Sequence, residues 1–142
     1  LLRQVAQWHL ALGGENPKDH LIWASSGIRP FELEEGDPET DGHKVWTIRE
    51  LLTSVDLFME GRQQHHCVGT YAKACKAGKS SIWTMDTRRK SGMKKCITIE
   101  VEPRRRRICQ ARGQANRLPS QKERGMLARW ASQAGLKLAG HV

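Results

Sequence analysis

The densest group of reactive side chains in the sequence is Gln63-Gln64-His65-His66-Cys67, followed by Tyr71 and Cys75. A cysteine beside an imidazole and near a helix start can have its thiolate favoured by an imidazolium and by the free N–H groups of that turn. Cys67 would then act as a nucleophile, with His65 or His66 as its base and Asn116 as the amide that orients the base. Side chains adjacent in sequence do not generally face one another, so the fold has to bring these groups together. The competing reading is structural: positions 67, 71 and 75 recur every four residues on a helix face, where a small cysteine packs well.

His65, His66, Cys67 and Cys75 are also zinc-ligand types. The spacing is poor: no C-x-x-C or H-x-x-x-H pair occurs, and the H-x-E and P-C-x-x-C signature of zinc deaminases is absent. The expectation is therefore no metal site and no cofactor, with zinc kept as the minor alternative. Gly78-Lys79-Ser80 resembles the end of a P-loop, yet it lacks the upstream glycine and precedes a strand instead of a helix.

The second chemistry is cationic. Lys and Arg total 24 against 15 Asp and Glu, a formal charge of +9, which attracts polyanions. The cations cluster as Arg88-Arg89-Lys90, Lys94-Lys95 and Arg104-Arg105-Arg106-Arg107, all next to expected turns and, on a meander, expected at one end of the sheet. A further loop presents Gln110, Arg112, Asn116 and Arg117. Arginines there suit bidentate phosphate contacts, and the amides suit bases or sugar. The bland alternatives are solvated turns and a loop whose amides satisfy its own backbone.

These groups need elements to hold them. Leu2, Val5, Ala6, Trp8, His9 and Leu10 predict a short opening helix closed by Gly13-Gly14. Residues 15–44, rich in Gly and Pro and acidic from Glu32 to Asp41, read as a connecting segment that either is solvated or lies over a cationic groove. Val45-Trp46-Thr47-Ile48 is strand-like, and Thr53 or Ser54 caps a helix weakened by Gly61. Strands follow at 81–86, 95–101 and 107–112, with Ile97, Ile99 and Val101 alternating against Cys96, Thr98 and Glu100, so Cys96 and Cys109 are expected as unbonded cross-strand neighbours. Ser120 with Glu123 forms a capping box for a helix carrying Met126, Leu127, Trp130, Ala131 and Ala134, ended by Gly135.

The expected fold is α+β: a small, mainly antiparallel sheet of three to four strands, a meander, packed against helices on one face. Residues 1–44 supply the N-terminal helix and acidic segment, and residues 45–142 the core, all as one compact domain. No apolar run approaches the length of a membrane-spanning helix, and four cysteines do not make a secreted disulfide scaffold, so a cytoplasmic setting is expected. The start, Leu1-Leu2-Arg3-Gln4, has neither an initiator Met nor a signal-peptide core and is expected to be cut from a longer chain.

The run from Glu60 to Tyr71, then Gly78-Lys79-Ser80-Ser81-Ile82-Trp83, Thr98-Ile99-Glu100-Val101, Gln110 to Arg117 and Trp130-Ala131 together resemble the PcfJ-like domain over residues 45 to 134. That resemblance implies a protein of conjugative plasmids, phages or other mobile elements, in a family usually found within longer proteins. The leading expectation is a domain that binds DNA or RNA mainly through phosphates. An enzyme acting on nucleic acid, a nuclease or transferase centred on His65, His66 and Cys67, is the first alternative. A protein-interaction module anchored by Trp8, Trp23 and Trp46 within a larger mobile-element assembly is the second.

Overall fold

A computed structural model describes residues 20–64 and 71–142. The expected opening helix from Leu2 to Leu10 and the His65-His66-Cys67 junction lie outside the described residues. The elements run β1 (Phe31–Glu35), β2 (Lys44–Leu51), α1 (Ser54–Gln64), α2 (Ala72–Lys76), β3 (Ser81–Arg89), β4 (Gly92–Glu102), β5 (Arg107–Arg112), a 3-10 turn (Gln114–Asn116), α3 (Gln121–Ala134) and β6 (Lys137–Leu138).

The sheet overturns the expected three- to four-stranded antiparallel meander. It has six strands in the order β1-β2-β3-β4-β5-β6, is mixed because β6 joins β5 in parallel, and curls into a half-barrel. Register shifts at Met85/Asp86 and Glu100/Val101 mark bulges, which bend a strand and increase its twist. The two strands missed from sequence have simple causes. β1 lies inside the acidic segment read as a connection, where Phe31 and Leu33 alternate with Glu32 and Glu34 for only five residues. β6 has two residues, too few for any period, and is placed by the crossover through α3.

Helices cover both faces, not one. In β3, Trp83 and Met85 belong to a core shared with Met126, Leu127 and Trp130 of α3. Their neighbour Ile82 packs with Leu51, Leu57 of α1, Cys75 of α2 and Trp23. Successive strand residues point to opposite faces, so these are two cores on two sides. Trp83 and Trp130 meet with ring centroids 4.8 Å apart at 56°.

Helix α3 forms as its sequence specifies. Ser120 accepts from the Glu123 N–H at 3.1 Å, and Glu123 accepts from the Ser120 N–H at 2.8 Å. Gly135 closes the helix at φ 68, the left-handed conformation that costs glycine little. The Arg106 guanidinium then donates to the Gly135 carbonyl at 3.1 Å and to that of Ala134, placing a cation on the negative end of the helix dipole.

The cysteines are not placed as expected. Ladder pairs Glu100↔Gln110 and Val101↔Ile108 leave Cys109 in the bulge, with its thiol 3.6 Å from the Glu100 carbonyl. β5 ends at Arg112, opposite Thr98, before it reaches Cys96. In this register position 109 falls beside Glu100 and Val101, well along β4 from Cys96, so the two cysteines are not cross-strand neighbours.

Candidate functional site

The face of the sheet beneath α1 is polar and buried. Pairings Thr84↔Thr98, Thr98↔Arg112 and Glu100↔Gln110 set these side chains side by side across β3, β4 and β5. Glu60 reaches down from α1, accepting from the Lys95 ammonium at 2.7 Å and from the Thr98 hydroxyl at 2.5 Å. Lys95 also donates to the Thr84 hydroxyl at 3.2 Å. Gln64 lies one helical turn beyond Glu60, on the same face, and is 2 % exposed.

Much of this layer satisfies itself; among the described residues three side chains do not. The Gln110 carboxamide is fully buried, yet among the described residues neither its oxygen nor its nitrogen has a hydrogen-bond partner. Gln64 Nε2 and Asp86 Oδ2 are likewise buried with no partner among the described residues, whereas the Glu100 carboxyl has the Tyr71 hydroxyl as well as Ser80 to bond it. A buried polar atom left unpaired costs about 1–3 kcal/mol, so several of them gathered on one face make that face a candidate site. Next to it, Ala115 holds a left-handed conformation at φ 55, strained for a residue with a Cβ. Its turn also contains Asn116 and packs against α1. The structure therefore brings Asn116 to the helix whose last residue, Gln64, directly precedes His65.

Burial pushes the Glu100 carboxyl above its ordinary value, opposed by the Ser80 hydroxyl that donates to it at 3.0 Å. A carboxyl with a raised folded-state pKa adds stability in acid, where both states are protonated, and loses it as pH rises through the folded value. Urea unfolding at pH 5 and pH 8 should show the parent losing more stability over that interval than Glu100→Gln, whose amide does not titrate. Equal losses would show that Glu100 ionises as freely folded as unfolded.

The three described cysteines are not nucleophiles. Burial pushes the Cys75 thiol up to about 12 and the Cys96 thiol to about 11, and it also raises Cys109. At neutral pH these are protonated, inert groups.

A protein-family model for PcfJ-like proteins matches residues 39–127, well over half of the chain. The chain belongs to the PcfJ-like protein family. No curated protein and no solved structure matches it. The PcfJ-like span runs from just before β2 to the middle of α3, and so contains the whole polar layer.

Within this PcfJ-like chain the expected cationic cluster divides in two. Arg88, Arg89, Lys90 and Lys94 surround the β3–β4 hairpin, whereas Arg104 to Arg106 lie in the β4–β5 turn and Arg107 opens β5, at the other end of β4. Eleven residues of strand separate them by about 30 Å.

Several of the expected binding residues are also taken up by the fold. Arg106 caps α3, and Arg107 donates to Glu102 at 2.9 Å. Lys95 pairs with Glu60. Arg117 makes a two-pronged pair with Glu123 at 2.8 and 3.0 Å. Arg112 is 7 % exposed and Gln110 is fully buried. Arg88, Arg89, Lys90, Lys94, Arg104 and Arg105 remain exposed. Trp23 and Trp46 are buried and donate to the Leu51 carbonyl and to Glu35, so they are core residues and not surface anchors. Trp8 lies outside the described residues. Among the described residues no helix is long and apolar enough to cross a membrane.

The hairpin end carries a cleft of about 430 Å³ whose cationic lining is Lys44, Arg89, Lys94 and Lys122. Lys122 is held by Glu35 at 2.5 Å. Lys44 sits 4.9 Å over the Trp46 ring. Sequence reasoning missed Lys44 and Lys122 because each is an isolated cation. Their convergence depends on the β1–β2 hairpin and the start of α3 meeting the end of β3.

Proposed function

We propose that this PcfJ-like domain is the nucleic-acid-associated part of a mobile-element protein and binds DNA or RNA largely through backbone phosphates. The supporting observation is the cleft at the β3–β4 hairpin, where four cations from three separate parts of the chain converge. Among the described residues no carboxylate lies within ion-pair distance of Arg89 or Lys94, so their charge is available to a ligand. The overall charge of +9 adds a long-range field that speeds encounter with a polyanion and weakens with salt.

Fluorescence anisotropy on labelled single- and double-stranded DNA and RNA across a salt series tests the proposal. The parent should bind with an affinity that falls steeply as salt rises. Lys44→Gln/Arg89→Gln/Lys94→Gln should lower the log–log salt slope by about 0.7–0.9 for each phosphate no longer neutralised, while neutralising Arg104 and Arg105 at the far end should change it little. Binding that ignores salt, or no binding at low salt, rejects the proposal.

A further inference from the structure

A second cleft, of about 550 Å³, opens along the edge of β1 and β2, and Arg29, Arg49 and Arg88 all line it. Register explains part of that convergence. Pairs Val45↔Arg88, Thr47↔Asp86 and Arg49↔Thr84 put Arg49 and Arg88 on one face of the β2–β3 ribbon, since alternate residues share a face. Arg29 comes from the segment before β1, and the Trp130 indole fixes its backbone by donating to the Arg29 carbonyl at 2.7 Å. The wall is thus anchored to the core while the three guanidinium groups stay exposed.

The acids nearby leave that charge largely uncancelled. Glu32 is the carboxylate in the lining. Asp86 is fully buried and accepts from the Thr47 hydroxyl at 2.6 Å, and its Oδ1 lies 3.7 Å from Arg88 Nε. Among the described residues no carboxylate lies within ion-pair distance of Arg29 or Arg49. A planar guanidinium presents paired N–H groups that match two oxygens of a phosphate or a carboxylate, and three lining one cleft suit a ligand that carries several negative charges, as a phosphate chain does.

We infer that the Arg29–Arg49–Arg88 cleft is a phosphate-binding site that holds backbone phosphates of a nucleic acid. Naming that ligand rests on the function proposed above; the phosphate chemistry rests on the cleft alone. Arg88 lines this cleft and Arg89 lines the other. The cationic footprint therefore passes around the end of β3 from one face of the sheet to the other.

The test uses two ligands, a labelled oligonucleotide over a salt series and inorganic tripolyphosphate followed by calorimetry. The parent is compared with Arg29→Gln/Arg49→Gln/Arg88→Gln, and with Arg49→Gln alone should the triple variant melt early. The inference expects the triple variant to bind the oligonucleotide about tenfold or more weakly, with a salt slope reduced by about 0.7–0.9 for every phosphate that the arginines had neutralised. Weakening with the oligonucleotide alone assigns the site to nucleic-acid backbone. If the parent ignores the oligonucleotide but binds tripolyphosphate through these arginines, the site takes a free polyphosphate and only the nucleic-acid reading fails. Oligonucleotide binding left unchanged by the substitutions overturns the inference and leaves the proposed function standing. Binding of neither ligand by the parent overturns both.

Discussion

Alanine at Trp130 should cost this fold about 3–5 kcal/mol, a large part of the roughly 5–15 kcal/mol that a typical domain has in total. The indole is fully buried, and its removal opens a cavity between α3 and the sheet. Two further effects add to the cavity: the tilted stacking on Trp83 disappears, and the Arg29 carbonyl is left without its donor. Urea unfolding followed by far-UV circular dichroism measures the effect. Trp130→Phe keeps an aromatic ring and should be clearly less damaging. A cost below about 1 kcal/mol for the alanine variant would mean that α3 is not packed on the sheet as described.

Removing Glu60 should be comparably severe, for an electrostatic reason. Its carboxylate is 1 % exposed, and Lys95, its partner, has a side chain 16 % exposed. Glu60→Leu leaves that ammonium with the Thr84 hydroxyl but no counter-charge, and the Thr98 hydroxyl without its acceptor, inside the polar layer, at a cost of about 3–5 kcal/mol. Buried ion pairs also tolerate joint replacement, since their mutual attraction barely exceeds the cost of taking both charges out of water. The double variant Glu60→Leu/Lys95→Met should therefore be more stable than Glu60→Leu alone, and a double-mutant cycle reads the coupling directly. Additive effects would show that the two groups do not depend on each other.

The Glu60–Lys95 pair also shows why only part of the fold is legible in the sequence. Ile97, Ile99 and Val101 alternate with Thr98 and Glu100 as expected, but the polar row is not a solvent face. It is covered by α1, whose matching carboxylate stands 35 residues before Lys95, and nothing local to β4 signals a partner that distant. Helix α3 lies at the other extreme. Its capping box, apolar spacing and terminal glycine are all local, and the structure repeats them residue for residue.

The cationic groups fall between these cases. Their types are plain in the sequence, and their uses are not. Arg106 and Arg107 look alike in a run of four arginines, yet one caps a helix and the other pairs with Glu102. A meander also places successive hairpins at opposite ends of its strands, so the clusters at 88–95 and 104–107 could never have shared one end. The site residues Arg29, Arg49 and Lys44 carry no pattern at all. Arg29 and Arg49 meet in one cleft and Lys44 lines the other, both beside β1, a strand hidden in an acidic stretch.

β1 has one more consequence, for self-association. It is the first strand of the sheet, so among the described residues its outer edge has no partner strand and offers N–H and C=O groups to another extended chain. A second copy docking there antiparallel, centred on Leu33, would set Glu32 of each molecule opposite Glu34 of the other. Both are exposed, and like charges directly opposed across a ladder repel. The acidic side chains that disguise this strand in the sequence thus protect the domain from aggregating edge to edge.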